Sequence, residues 1–371
     1  MTSEPTASGS TASGSTGANR RTFLRRASAV AAVPVGVGAG VFGPQAGTAH
    51  AADTAGLPGF EPVPAGSLGP ALNADGYHVG RIEGNLYWVT DAYYQAMFLS
   101  TRHGVVLVDA PPTIGTNLLR AIEDVTRANG RPGKVTHLVH SHAHADHIGA
   151  SVLFGDDVVR IGHRLNRELL LRADDPNRPA PKVTFDSRYT LSVGGEHLEL
   201  AYHGPNHAPD NIYVYAPAYR TLMLVDVLFP GWVPFKSLAV SQDIPAWIKA
   251  HDVALSYPWT TLVAGHLGRL GIRADGELQK EYMADLEAGV RAAVRSVDPT
   301  PYFREYGPGG NAWAIFRTYL DAVARTAADP VAGKYLGKLA AADVFTFDNA
   351  ATLLESLRID SGVLGPFGIR P

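Results

Sequence analysis

The chain has 371 residues, 46% of them hydrophobic and 18% charged, with a formal charge of −3, which is enough apolar content for a sizeable core and enough length for two domains. Residues 1–51 hold four arginines and one glutamate, so the remainder stands at −6, a balance that argues against a nucleic-acid-binding surface. There is no cysteine, so disulfides, thiol nucleophiles and thiolate metal ligands are excluded, and any metal site must use nitrogen and oxygen.

In chain order, Met1 to Ala18 is a Ser/Thr/Gly/Ala tract too polar and too simple to pack. It runs into Asn19-Arg20-Arg21-Thr22-Phe23-Leu24-Arg25-Arg26, an apolar stretch from Ala27 to Phe42, and Ala49-His50-Ala51. This resembles a twin-arginine export signal with an A-x-A cleavage site, with Arg25 where the pattern usually has Lys. The apolar stretch, interrupted by Pro34, falls short of the ~20 residues that span a bilayer. The expectation is a signal peptide over 1–51, handled by the twin-arginine export machinery. The mature protein is then secreted or resident in the cell envelope or periplasm, without a membrane span. Proteins exported this way cross already folded, which suits a cysteine-free metalloprotein whose site forms on folding. Gly38, Gly40 and Gly43 have the spacing of a dinucleotide fingerprint but follow no strand, and carry no such function.

Residues 52–75, rich in Gly, Pro and Ala, read as a linker, and a folded domain is expected over 76–275. Tyr77-His78-Val79, Leu86 to Val89, Met97 to Leu99 and Val105 to Val108 read as successive strands. Leu118, Leu119, Ile122 and Val125 mark a helix that ends at Asn129-Gly130, before a strand at Val135 to Val139. A strand-rich stretch from Lys182 to Leu228, a helix near Pro245 to Leu255 and a strand at Thr261 to Ala264 follow. Residues 276–371 read as a helical C-terminal extension. Leu278, Tyr282, Leu286, Val290 and Val294 mark one of its helices, and Trp313, Phe316, Leu320 and Val323 another. The extension holds no histidine, so packing, a lid or oligomerisation is expected of it.

The chemistry concentrates where the buried strand Val135 to Val139 runs into His140-Ser141-His142-Ala143-His144-Ala145-Asp146-His147. On extended chain, side chains two apart share a face, so His142 and His144 can grip one ion. Asp146 and His147 are adjacent, and a turn into a helix over Ile148 to Phe154 brings both to a second ion. His137 and His140, on the strand before the cluster, read as structural.

An H-x-H-x-D-H run after a strand resembles the signature of the metallo-β-lactamase superfamily. The resemblance implies an α+β fold: a four-layer αβ/βα sandwich with its metals at one edge. It also implies three further ligands, matched by His207 in Gly204-Pro205-Asn206-His207-Ala208-Pro209-Asp210-Asn211, by Asp226 after Leu222 to Val225, and by His266 after Leu262 to Gly265. Carried over, one zinc would take His142, His144 and His207, the other Asp146, His147 and His266, and Asp226 would touch both. His203 and His251 are the competitors for His207 and His266. Asp109, after Val105 to Val108, would support the ligand loop rather than touch metal.

Two zinc ions would lower the pKa of bound water to about 7 and polarise a substrate oxygen. Rival hydrolytic machinery, a G-x-S-x-G elbow or an H-E-x-x-H helix, is absent from the sequence. The expectation is an exported binuclear zinc hydrolase that uses a metal-bound hydroxide on a small ester, lactone or lactam. Asp146 would orient the nucleophile and pass a proton to the leaving group. The alternative is an iron-dependent oxidoreductase of the same fold, like the persulfide dioxygenases. Zinc β-lactamases with a similar turn commonly carry Cys at the place of Asp226 and Lys at that of Phe229, which leaves Lys236 as a substitute partner for a substrate carboxylate. Phe229 to Phe235, with Tyr93 and Tyr94, either lines an apolar pocket or packs in the core.

Overall fold

The computed structural model of the chain describes residues 57–367. The chain divides into two units, Met1–Pro58 and Gly59–Pro371, and the expected export signal lies outside the described residues. From Gly59 on, the segment read as a linker belongs to the second unit. Ser67 Oγ donates to Gly231 O at 2.6 Å, and Trp232 Nε1 donates to Ser67 O at 3.1 Å.

Seven strands form the first sheet: β1 (His78–Glu83), β2 (Leu86–Thr90), β3 (Gln95–Thr101), β4 (Gly104–Val108), β5 (Val135–Val139), β6 (Val159–His163) and β7 (Val183–Phe185), in that spatial order. Its first four strands are antiparallel and the rest parallel. The parallel connections are helical: α1 (Asn117–Asn129), α2 (Ala145–Ile148) and α3 (Arg164–Ala173), as crossovers between parallel strands require. The second sheet holds β8 (Arg188–Val193), β9 (Glu196–Ala201), β10 (Tyr213–Ala216), β11 (Thr221–Met223) and β12 (Thr261–Val263), in the order β12-β11-β10-β9-β8.

Strand alternation decides what lies between which layers. Met97, Leu99, Val106, Val108 and Ile161 of the first sheet meet Leu198, Leu200, Val214, Met223 and Val263 of the second in one core. The opposite face of the first sheet packs Phe98, Val105 and Leu107 against Leu118, Ala121 and Ile122 of α1. The outer face of the second sheet presents Tyr213, Tyr215, Leu222 and Leu262 to the later helices α4 (Ile244–Ser256), α5 (Arg273–Ser296), α6 (Thr300–Tyr306), α7 (Ala312–Tyr335) and α8 (Ala342–Ile359). The result is an α/β/β/α sandwich with a C-terminal helical extension.

Helix α5 buries Tyr282, Met283, Leu286, Val290 and Val294, a stripe worth roughly 1.5–3 kcal/mol for each large side chain removed from water. On α7 the expected face holds at Val323, which is buried, and at Leu320, which packs against the core, but not at Trp313. Trp313 is 83% exposed, and the buried stripe runs through Ile315, Tyr319, Val323, Ala327 and Val331. The expected helix over Ile148 to Phe154 also differs, because α2 stops at Ile148 and a separate 3-10 turn spans Ser151–Phe154. Among the described residues no helix is long and apolar enough to cross a membrane.

Candidate metal centre

Strands β4 and β5 run parallel and end side by side, with Val108 opposite Val139. Their continuations deliver Asp109 and the histidine-rich loop to one edge of the sandwich. Strand β5 stops three residues before His142, so His142 sits on a bend, while His144 returns to an extended backbone at φ −68°, ψ 144° as the N-cap of α2. They converge all the same, with ring centroids 4.4 Å apart. The second sheet supplies the rest: His207 from the β9–β10 connection, Asp226 just past β11, and His266 just past β12.

Two donor groups result, His142, His144, His207 and Asp226 in one, and Asp146, His147 and His266 in the other. In the first, His207 Nε2 lies 3.0 Å from His144 Nδ1, and Asp226 Oδ2 lies 3.1 Å from His207 Nε2 and 3.5 Å from His142 Nε2. In the second, His147 Nε2 lies 3.2 Å from His266 Nε2 and 3.5 Å from Asp146 Oδ2, and His266 Nε2 lies 3.7 Å from Asp146 Oδ2. Asp226 reaches this group too, through Oδ1 to His266 at 2.9 Å and Oδ2 to His147 at 3.1 Å.

These spacings test whether a metal fits. A tetrahedron with zinc–nitrogen arms of 2.0–2.1 Å has edges of about 3.3 Å, and the donor separations scatter around that length. The Nε2 atom of His142 is buried and has no hydrogen-bond partner, a costly state unless a ligand takes up its lone pair. The seven side chains thus form a His/Asp group that can bind metal, with Asp226 facing both halves.

Electrostatics point the same way. Burial and the neighbouring imidazoles hold His142 well below its usual range, and burial with His207 brings His144 down to about 4, so both stay neutral, which is the ligating form. Burial by itself would lower His147, but the carboxylates of Asp226, Asp146 and Asp109 outweigh it and raise it to about 9. Asp226 is buried, which favours its neutral form, yet His147, His207 and His266 hold it well below the carboxylate range.

The supporting side chains are specific. Asp109, fully buried, accepts from the Ser141 amide at 2.8 Å, while Ser141 Oγ lies 3.0 Å from His142 Nδ1 and leaves Nε2 for the centre. Asn206 Oδ1 accepts from the His207 amide and from Asn211 Nδ2. His140 is buried away from the cluster, against Asn166 Oδ1 and Ser151 Oγ, and Asn166 in turn donates to Asp210 at 2.8 Å. His137 pairs with Thr136. His203 instead contacts the Tyr257 hydroxyl, and His251 lies within α4 against Gln279; neither joins the centre.

Two positioning residues carried no sequence signal. Gln95, buried at the start of β3, donates to Leu267 O and Arg269 O at 2.8 Å and accepts from Ala264 N at 3.1 Å. It therefore clamps the loop bearing His266 from both sides. Trp247 of α4 donates to Asp226 O at 2.9 Å. Both loops need the clamp because Asp226 and Leu267 adopt φ of 60° and 67°, a region that costs non-glycine residues of order 1–3 kcal/mol. Gly265, at φ 84°, has no room for a side chain, since a Cβ there would lie 2.6 Å from Val225. We expect Gln95→Ala to weaken metal binding about 10–100-fold, the usual effect of losing an outer partner, as read by competition with a chromogenic chelator.

The centre opens onto a cavity of about 680 Å³. Asp146, with its side chain 43% exposed, stands at its floor. Beside it Tyr94 is pushed up to about 12 by burial and by the charges of Asp146 and Asp226. Lys236 is exposed and does not line the cavity.

A mixed sandwich with a cluster of imidazoles and carboxylates at the sheet edge defines a class of metal-binding fold. Residues 89–266 match the family model of the metallo-beta-lactamase superfamily, and this segment carries that superfamily's fold. It is 27% identical over 242 residues, 64% of this chain and 68% of the other, to 2,4-dinitroanisole O-demethylase subunit alpha of Nocardioides sp. (strain JS1661). It is 24% identical over 174 residues, 46% of this chain and 68% of the other, to metallo-beta-lactamase type 2 of Elizabethkingia meningoseptica. Among solved structures, a metallo-beta-lactamase from Pontibacter korlensis superposes with a TM-score of 0.47 at 22% identity, over 55% of this chain and 97% of that one.

Proposed function

We propose that the protein is an exported binuclear zinc hydrolase acting on a small ester, lactone or lactam. One observation carries this reading: two abutting donor groups share Asp226 and open onto a cavity large enough for a small molecule. Bound zinc would supply Lewis-acid polarisation of a substrate oxygen and hydroxide near neutral pH. The chain's own contribution lies around it. His142 and His144 stay neutral, Ser141 and Asn206 hold His142 and His207 in place, and Asp146 sits where it can take a proton from the nucleophile and return it to the leaving group. Tyr94, raised by burial and by the charge of Asp146, keeps its proton throughout the physiological range beside that carboxylate. Export rests on the Arg20-Arg21 motif and is checked by locating the protein in cell fractions.

The demethylase relative supports a second reading, in which the bond broken is that of an aryl methyl ether. Imidazole and carboxylate donors also accept iron, so an iron-dependent oxidoreductase of the same fold is the competing chemistry. Elemental analysis with measurement of dioxygen uptake separates them: two zinc ions and no uptake support hydrolysis, while iron with uptake overturns it. The zinc-loaded protein, assayed on chromogenic esters, lactones, lactams and aryl methyl ethers, then assigns the bond. In that assay Asp146→Asn should lower kcat by about 10²–10⁴, the range for general acid–base groups. Near-normal turnover with both ions retained would remove Asp146 from this role.

A further inference from the structure

We propose that the substrate of this centre is uncharged and largely apolar. Its non-reacting end would be held by an aromatic wall that starts just past Asp226 and that Phe345 of the C-terminal helices, outside the segment shared with the superfamily, completes. The inference rests on the hydrolase reading and adds the substrate class and the residues that select it.

The wall begins just past Asp226. Phe229 stacks beside His266, with centroids 6.3 Å apart, and Trp232 and Phe235 follow along the cavity. Phe345 of α8 completes the wall by an edge contact to Phe235, with centroids 5.2 Å apart. Phe345 lies far beyond residue 266, where the family match ends.

The joint between wall and extension is built into the backbone. Val233 N donates to Ala340 O at 3.1 Å, and Ala340 N donates to Gly231 O at 2.9 Å, so the two segments pair like short strands. Between Phe235 and Gln242 the chain makes a left-handed turn, with Ser237, Leu238, Ala239 and Val240 at φ of 57°, 54°, 61° and 54°. L-residues pay roughly 1–2 kcal/mol each for that conformation. Asn349 of α8, fully buried, holds the turn by accepting from Leu238 N at 2.8 Å and donating to Pro234 O at 3.0 Å. The turn places Ala239 and Val240 on the cavity, with Val240 61% exposed at its rim.

Charge decides the substrate class. Among the described residues that line the cavity there is no lysine or arginine, and its only ionisable groups are the ligand histidines, Asp146, Asp226, Tyr93 and Tyr94. A carboxylate placed against the aromatic wall would lose hydration without gaining a cation, a penalty of several kcal/mol. A neutral ring or alkyl group there gains by burial instead.

The test compares matched esters on the zinc-loaded enzyme: 4-nitrophenyl butyrate with 4-nitrophenyl hemisuccinate, and phenyl butyrate with 4-carboxyphenyl butyrate. The neutral member of at least one pair should win by about tenfold or more in kcat/KM, mainly through KM. Phe345→Ala should raise KM for the neutral ester about tenfold with a smaller change in kcat, and Val240→Lys should narrow the gap by improving the anionic ester. Equal or better turnover of both anionic esters, or an unchanged KM in Phe345→Ala with its fold and zinc content intact, overturns the inference and leaves the hydrolase reading standing. If no ester is cleaved, the hydrolase reading fails separately. The wall is then read by fluorescence titration with neutral 2-acetonaphthone, whose affinity should fall about tenfold in Phe345→Ala; no binding, or equal binding, overturns it there as well.

Discussion

On the proposed binuclear centre, Asp226→Ala is expected to abolish binding of at least one of its two ions and to lower kcat/KM by about a thousandfold or more, on the order of 4 kcal/mol of transition-state stabilisation. The size follows from its position. Among the described residues Asp226 is the one carboxylate within 4 Å of imidazoles in both donor groups, its oxygens lying 2.9–3.5 Å from four of them. Removing it leaves Asp146 as the other carboxylate within 4 Å of His147 and His266 among the described residues, and Asp146 stands farther off, at 3.5 and 3.7 Å. Metal content by elemental analysis and kcat/KM on the best substrate of the panel check the expectation. A variant that kept two ions and wild-type turnover would refute the shared-ligand geometry.

Stripping the metal from the intact protein should cost stability as well as activity. A ligand that binds only the native state stabilises by about 4 kcal/mol at a thousandfold excess over its Kd. At roughly 2 °C per kcal/mol for a large domain, chelation should lower Tm by about 8 °C, and added zinc should restore it. The structure gives the reason: without an ion, the buried His142 Nε2 has no partner and imidazole nitrogens face one another at 3.0–3.2 Å. Differential scanning fluorimetry with and without chelator measures the shift. An unchanged Tm after verified metal loss would mean that the cluster is held together without the ion.

The 142–147 run was legible because its geometry is local. Four ligand-type side chains within six positions, entered from a strand, have few ways to fold that do not bring them together. Asp109 was legible for a similar reason, since it ends the strand that lies beside β5. The remaining donors were reached by resemblance and not by spacing: His207 lies 63 positions from His144, and His266 lies 119 from His147. The local pattern favours each over His203 or His251 only slightly, through the glycine-containing turn before His207 and the strand end before His266.

Strand β6 and helix α3 went unread. The strand is five residues long and carries a buried arginine, Arg160, whose guanidinium is satisfied by the carbonyls of Ser151 and Gly155. Its polarity masks it until those carbonyls are in place. On α7 the apolar spacing fits more than one face, and packing against α5 and α8, not periodicity, chose the stripe that leaves Trp313 in solvent.

The sequence by itself determined the chemistry available: nitrogen and oxygen donors without sulfur, clustered after a strand, with a helical segment behind. Donor identity is a property of single residues, and short-range spacing survives almost any fold. Only the tertiary structure decided which loops meet, that Gln95 and Trp247 brace two of them, and that Phe345 and Asn349 belong to the wall of the site. Those relations depend on how two sheets stack and how helices lie across the second, and no window along one chain contains them.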